Sequence, residues 1–490
     1  MPETETLSLK DRALLVEACL IGGQWSEAGS GSIDVTNPAT GAVIARVPNA
    51  GAAETRKAIE AAHAAYPAWR ARTANERAVL LRKLAALVTE HQEDLAQILT
   101  AEQGKSLAES RGEVAMSAAY VLWFAEEARR IYGDVIPSPW GDRKILVTKE
   151  PVGVVAAITP WNFPSSMIAR KIAPALAAGC PIVIKPASQT PLSGLAWGVL
   201  CERAGFPAGV VSILTGSARA IGGEMTGNPL VKKITFTGST EVGKVLLEQA
   251  SHTVKKVSME LGGNAPFIVF DDADLDRAVA GAMLAKFRNS GQTCICTNRF
   301  LVQDGIYDAF AEKMAEAANR LKVGNGVEDG VAQGPLIDMA AIEKTEAHIR
   351  DAVEKGGRVI AGGHRHALGG QFFEPTVITG ATPDMAVARE ETFGPLAPLF
   401  RFRDEAEAIR LANDTEFGLA CYFYTRDLGR TFRVAEALEY GMVGINEGII
   451  TTEVAPFGGV KESGLGREGS YQGIEDYLNT KYLCVGGLGG

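Results

Sequence analysis

A chain of 490 residues is too long for a single hydrophobic core, and about two to four domains are expected. Charged residues make up 22% and apolar residues 46%, the balance of an ordinary water-soluble protein. The formal net charge of −9 offers no basic field to nucleic acid, and no apolar run suits a bilayer span: residues 13–23 are too few and contain Glu17.

The chain begins Met1-Pro2-Glu3-Thr4-Glu5, acidic where a targeting leader would be basic. Residues 52–130 carry helical periodicity and are rich in Ala, Leu, Glu and Arg. Residues 133–150, with Pro137, Pro139 and a β-prone run at 144–148, read as an excursion before the next region. From Val152 onward, short β-branched runs at 152–158, 181–185, 210–214, 232–236 and 255–259 alternate with helical stretches. That alternation predicts βαβ units and a parallel sheet covered by helices. A second α/β series runs from Pro266 through a helix over 273–287 to about Pro456, and residues 477–485 form a last β-prone run. The fold class is therefore α/β with open parallel sheets.

The seven cysteines contain no C-x-x-C pair and no framework spacing, which predicts reduced thiols and a cytoplasmic protein. The only clustered histidines, His364 and His366, sit in a polar turn without Cys or carboxylate partners at ligand spacing, so no metal is expected.

Two glycine motifs suggest nucleotides and do not carry that reading. Gly464-Leu465-Gly466-Arg467-Glu468-Gly469 fits G-x-G-x-x-G, but loop residues precede it where a strand is required, so a glycine-rich turn is expected. Gly238-Ser239-Thr240-Glu241-Val242-Gly243-Lys244 ends in Val245 where a P-loop needs Ser or Thr for magnesium. Its first residues still follow a strand and open a helix, and the N–H groups of a helix start suit a pyrophosphate.

The chemistry is concentrated in two blocks. In Phe287-Arg288-Asn289-Ser290-Gly291-Gln292-Thr293-Cys294-Ile295-Cys296, small and polar neighbours suggest that a loop presents the Cys294 thiol. In Met259-Glu260-Leu261-Gly262-Gly263-Asn264, a carboxylate precedes a Gly-Gly pair, where backbone can approach a ligand closely. A thiol nucleophile with a carboxylate base points to covalent catalysis. A cysteine hydrolase would need a histidine partner, and none lies near these blocks.

Together with Ile21-Gly22-Gly23-Gln24-Trp25, Trp161-Asn162-Phe163-Pro164, Phe236-Thr237-Gly238-Ser239 and Glu391-Thr392-Phe393-Gly394-Pro395, these blocks resemble the aldehyde dehydrogenase superfamily, from about Ile21 to Tyr482. The resemblance implies two Rossmann-like domains and a β oligomerisation arm. A dinucleotide-binding domain is expected over 1–132 and 150–262, and a catalytic domain over 263–460. The arm and C-terminal segment are expected over 133–149 and 461–490, in a homodimer or homotetramer.

It further implies that Cys294 attacks an aldehyde carbon, that Asn162 and the Cys294 N–H stabilise the alkoxide, and that hydride passes to a nicotinamide. Glu260 then activates the water that cleaves a Cys294 thioester. From the residues alone, Asn162 fits an Asx turn equally well. Cofactor contacts are expected from Trp161, Lys185, Ser188, Gly238, Ser239, Leu261, Glu391 and Phe393. Ser188 replaces the Glu common in NAD-preferring relatives, so NADP is expected, with NAD as a second cofactor; the alternative for Ser188 is a helix cap.

Arg170 and Arg288 bracket the catalytic blocks, and their neighbourhoods look most like the succinate-semialdehyde dehydrogenases. An aldehyde carrying its own carboxylate is thus the expected substrate. Thr451 stands where such relatives tend to have Ser, which leaves the longer glutarate semialdehyde open, since one methylene discriminates by only about 1–3 kcal/mol. A neutral small aldehyde is the remaining alternative. Cys296 is either a small buried side chain or the partner of Cys294 in a redox latch.

Overall fold

The computed structural model describes residues 5–488. The acidic start at 1–4 and the final residues 489–490, the outer ends of the expected segments, lie outside the described residues. The helical region 52–130 divides into Ala52–Ala71, Ala74–Glu90, Gln92–Gln103 and Leu107–Glu127. Two breaks have local causes. Thr73 and Glu76 form a reciprocal capping box that starts the second helix. Gly104, at φ +96, ends the third in the left-handed region, and Ser106 caps the fourth.

The expected βαβ series forms an eight-stranded sheet. Its order is Gln24–Ser26, Cys19–Ile21, Val211–Ile213, Ile182–Lys185, Val154–Ile158, Val231–Thr237, Lys256–Glu260 and Gly464–Leu465. The five central strands are parallel, and the β-branched runs read from the sequence match them to within one or two residues. The antiparallel edges were not expected: the hairpin Cys19–Ser26 closes one side and Gly464–Leu465 the other. So short a pair of residues carries no periodicity of its own. The G-x-G-x-x-G motif is thus an edge strand and turn laid on Glu260, which pairs with Gly464.

The second series forms a seven-stranded sheet in the order Arg358–Ala361, Thr376–Ala381, Leu396–Phe402, Thr297–Gln303, Ala265–Val269, Ala420–Tyr424 and Met442–Ile445. Only its first strand is antiparallel to its neighbour. A third sheet pairs Leu478–Val485 with Lys144–Pro151 along eight residues, with Asp134–Ile136 on the far edge. It leaves Tyr132, Val135, Trp140 and Tyr482 exposed. No helix among the described residues is long and apolar enough to cross a membrane.

Candidate active site

In the first sheet the chain runs outward from Val154–Ile158 to Val211–Ile213, then returns to the other side at Val231–Thr237. This reversal opens a crevice beyond the carboxyl ends of Val154–Ile158 and Val231–Thr237, the place where open α/β sheets bind ligands. The residues that follow those two strands, Pro160-Trp161-Asn162 and Gly238-Ser239, line a cavity there together with Thr237, Leu261, Gly262, Cys294, Glu391 and Phe393. Ser239 caps the helix Thr240–Ser251, accepting from Val242 N at 3.4 Å. Trp161 and Phe393 meet edge-on at 5.5 Å, and Thr237 Oγ1 is buried without a partner. A helix start, an aromatic wall, a carboxyl and an unpaired hydroxyl fit a dinucleotide. Lys244, in contrast, pairs with Glu462 at 2.7 Å on the surface, which disposes of the P-loop reading.

The two sheets are joined by Leu261-Gly262-Gly263-Asn264, between the strands Lys256–Glu260 and Ala265–Val269. A Cβ on Gly263 would sit 2.6 Å from Cys294 O. The close approach expected for the Gly-Gly pair is therefore, at Gly263, an approach to the Cys294 backbone rather than to a ligand.

Cys294 is carried by a strained loop. Asn289, Ser290 and Gly291 have φ of +51, +55 and +77, a left-handed run that costs energy for the two non-glycine residues. Hydrogen bonds over-determine it: Asn289 N donates to Glu109 at 2.7 Å, Asn289 Nδ2 to Asn162 O at 2.9 Å, and Ser290 Oγ to Gly334 O at 2.9 Å. Asn162 Nδ2 donates to Gln292 O at 3.1 Å, which ties the expected oxyanion donor to the same loop. The Cys294 N–H has no acceptor among the described residues. Burial pushes the Cys294 thiol up to about 12, with Glu391 adding to the shift, which favours its protonated form.

A second cavity meets the first at Cys294. Met116, Phe163, Ser166, Met167, Arg170, Arg288, Thr293, Ile295, Thr451 and Phe457 line it with Cys294. Arg170 is 3% exposed, its guanidinium carbon 4.8 Å from the Tyr120 ring centroid and 4.4 Å from that of Phe457. Its Nε and Nη1, with Thr293 Oγ1 and Thr451 Oγ1, are buried and make no hydrogen bond. Arg288 forms no salt bridge among the described residues and lies 5.5 Å from the Phe163 ring centroid. The three residues expected at the substrate thus meet around unsatisfied donors, which an anion would satisfy.

Glu260 lines neither cavity. Its Oε1 packs 3.0 Å from where a Cβ on Gly458 would lie, and its Oε2 has no partner. Burial first, and then the Glu468 carboxylate, raise its proton affinity well above that of an ordinary glutamate. Lys185, pushed down to about 8 by burial, ends the strand Ile182–Lys185; it and half-buried Ser188 lie outside the walls of both cavities. Ser188 is no helix cap, since the helix Pro191–Ala204 is capped at Thr190. Cys296 is 3% exposed, lines neither cavity and points its Sγ at Lys286 O, 3.4 Å away.

Several residues at the site left no mark in the sequence. Lys105 is buried beside Glu113 at 2.6 Å, donates to Asn162 O at 2.7 Å and lies 3.7 Å from the Phe163 ring centroid. Glu113 Oε1 accepts from Ser165 N and Ser166 N at 2.9 and 3.1 Å, fixing the start of the helix that carries Arg170. Lys171 and Glu468 form a second buried pair at 2.7 Å. Lysine and glutamate in a helical stretch ordinarily read as solvated surface. The only available signal was Gly104, whose turn carries Lys105 inward.

A family profile described as the aldehyde dehydrogenase family matches residues 25–483. The chain is 65% identical to the 3-sulfolactaldehyde dehydrogenase of Pseudomonas putida, covering 98% of this chain and 99% of that one. It is 61% identical to the NADP(+) succinate-semialdehyde dehydrogenase of Escherichia coli (strain K12), covering 98% and 100%. The crystal structure of a succinate-semialdehyde dehydrogenase from Burkholderia pseudomallei superimposes with a TM-score of 0.97 at 61% identity, covering 98% and 100%. With the family profile matched over residues 25–483 and relatives above 60% identical along nearly its whole length, the chain belongs to the aldehyde dehydrogenase family.

Proposed function

We propose that the protein oxidises a small aldehyde bearing an anionic group, succinate semialdehyde above all, to the carboxylic acid, with NADP as the preferred oxidant. The observation that carries this reading is the meeting of the two cavities at Cys294, one fitted to a dinucleotide and the other lined by arginine and threonine donors that lack partners.

The acid group pairs with Arg170 and Arg288, and Thr451 and Thr293 complete its hydrogen bonds. This places the carbonyl at the Cys294 Sγ. Because burial favours the protonated thiol, attack requires that its proton pass to water as the C–S bond forms. Asn162 Nδ2 and the Cys294 N–H hold the alkoxide, a contribution of about 3–4 kcal/mol for each well-placed donor. When bound, the nicotinamide supplies the hydride acceptor. Trp161, Phe393 and Glu391 would hold its ring and ribose, Gly238 and Ser239 its phosphates, and Lys185 and Ser188 a 2′-phosphate. Glu260 turns from Gly458 toward the Cys294 thioester and takes a proton from the attacking water, its raised proton affinity suiting it to that role.

A second reading has a specific observation behind it. The unpaired groups of the cavity, Arg170 Nε and Nη1, Thr293 Oγ1 and Thr451 Oγ1, can be met by the two oxygens of a carboxylate and equally by the three of a sulfonate, and a relative named for 3-sulfolactaldehyde supports that class. Glutarate semialdehyde is the remaining alternative. We further propose that the sheet joining Lys144–Pro151 and Leu478–Val485 is the dimer or tetramer contact, supported by its exposed apolar side chains.

The test is initial rate with succinate semialdehyde, a sulfonate-bearing aldehyde, butanal and propanal, with NADP and with NAD, for wild type and Arg288→Ala. Strong preference for the anionic aldehydes that collapses in the variant is expected. Equal rates on neutral aldehydes, untouched by the substitution, would overturn the anion pocket.

A further inference from the structure

His348 lies outside every motif block, on the helix Met339–Glu354, yet it grips one of them. Its buried imidazole places Nδ1 3.0 Å from Thr392 Oγ1 and Nε2 3.3 Å from Glu390 Oε2. The two contacts straddle Glu391, which lines the first cavity. An ionised carboxylate can only accept, so Nε2 carries the imidazole proton and Nδ1 accepts from the Thr392 hydroxyl. Burial lowers the proton affinity of His348, which favours this neutral form. His348 is the one hydrogen-bond partner of that hydroxyl among the described residues. The gripped segment is strained: Phe393 has φ +56, a left-handed conformation costly for a bulky residue. It also touches both neighbours of the chemistry. Gly263 N donates to Glu391 Oε1 at 3.4 Å, and a Cβ on Gly291 would lie 2.1 Å from Gly394 O.

We propose that His348 is a positioning residue for cofactor binding: through the Thr392 hydroxyl it holds the turn Glu391-Thr392-Phe393 in the conformation that presents Glu391 and Phe393 to the dinucleotide. The proposal rests on the dinucleotide reading of the first cavity. A left-handed Phe393 persists only while surrounding contacts over-determine it. The bond to Thr392 is buried and supplies most of that hold, whereas Glu390 is exposed and its contact contributes little. Without the bond, the turn spends part of its time relaxed, with Phe393 away from Trp161. Apparent affinity for the cofactor then falls in proportion to the fraction of molecules still competent. Saturating cofactor selects the competent turn again, so the loss falls on the KM for cofactor rather than on kcat. A residue serving stability alone produces the opposite split, fewer active molecules with KM unaltered.

The experiment measures the dissociation constant of NADP by calorimetry on the cofactor-free enzyme, together with KM for NADP and kcat at saturating aldehyde. The proteins are wild type, His348→Leu, His348→Asn, Thr392→Val and the double variant of His348→Leu with Thr392→Val. His348→Leu and Thr392→Val should each weaken NADP binding about fivefold, the worth of one hydrogen bond. The double variant should bind no more weakly than either single one, because both changes break the same bond. His348→Asn, whose amide oxygen takes the place of Nδ1, should bind NADP within about twofold of wild type. Unchanged NADP binding in His348→Leu and Thr392→Val, or a fall in kcat with KM unaltered, would overturn the proposal. Additive losses in the double variant would overturn the route through Thr392, and equal losses in His348→Asn and His348→Leu would overturn the hydrogen bond as its basis. Failure of the dinucleotide reading itself looks different: neither NADP nor NAD would bind the wild-type enzyme.

Discussion

The buried Lys105–Glu113 pair offers the sharpest test of how the site is held. Both side chains are almost wholly buried, 0% and 1% exposed, and 2.6 Å apart. Lys105→Met removes the cation and leaves Glu113 with only the N–H groups of Ser165 and Ser166. Stranding one partner of a buried pair costs about 3–5 kcal/mol, and the two surviving N–H bonds put the expectation near the lower end. The same change removes a charged donor from Asn162 O, which keeps Asn289 Nδ2 at 2.9 Å. Losing an oxyanion donor outright costs about 10²–10³ in kcat; displacing one should cost roughly tenfold. The assays are kcat with saturating substrates and the midpoint of guanidinium unfolding, for Lys105→Met, Glu113→Gln and the double variant. The double variant strands no charge and should be more stable than Lys105→Met alone. Wild-type stability and kcat in Lys105→Met, or strictly additive losses in the double variant, would refute this account.

Three further outcomes are expected. Ser188→Glu should raise KM for NADP at least tenfold while sparing NAD, because a carboxylate repels the 2′-phosphate; an unchanged ratio would remove Ser188 from cofactor choice. Alkylation of the cofactor-free enzyme at Cys294 by iodoacetamide should accelerate about tenfold per pH unit from pH 7 to 9, since a thiol pushed up to about 12 gains thiolate in proportion to hydroxide. A plateau in that range would show a thiolate already formed. Peroxide should inactivate Cys296→Ala and wild type alike, with dithiothreitol restoring both equally, because Cys296 is packed against Lys286 O. Reversibility confined to wild type would establish the Cys294–Cys296 latch instead.

The amino-acid sequence by itself determined the layer architecture and singled out the candidate residues for the chemistry. β-branched runs alternating with helical stretches are local patterns, and they located the five parallel strands from Val154 to Glu260. Motifs such as Gly291-Gln292-Thr293-Cys294 are contiguous, so they could be read without knowing what they face. Tertiary structure alone decided everything that depends on distant residues meeting. It put Gly464–Leu465, some two hundred positions downstream, against Glu260, and turned the Glu260 carboxyl away from both cavities. It brought Lys105 and Glu113 beneath Asn162, where their burial contradicts the solvated surface that helical Lys and Glu normally indicate. It also gathered Arg170, Arg288 and Thr451 from three separate segments into one cavity with unsatisfied donors. The physical reason is that strand and helix patterns arise from near neighbours along the chain, whereas the energy of a buried charge is set by whatever the fold places beside it.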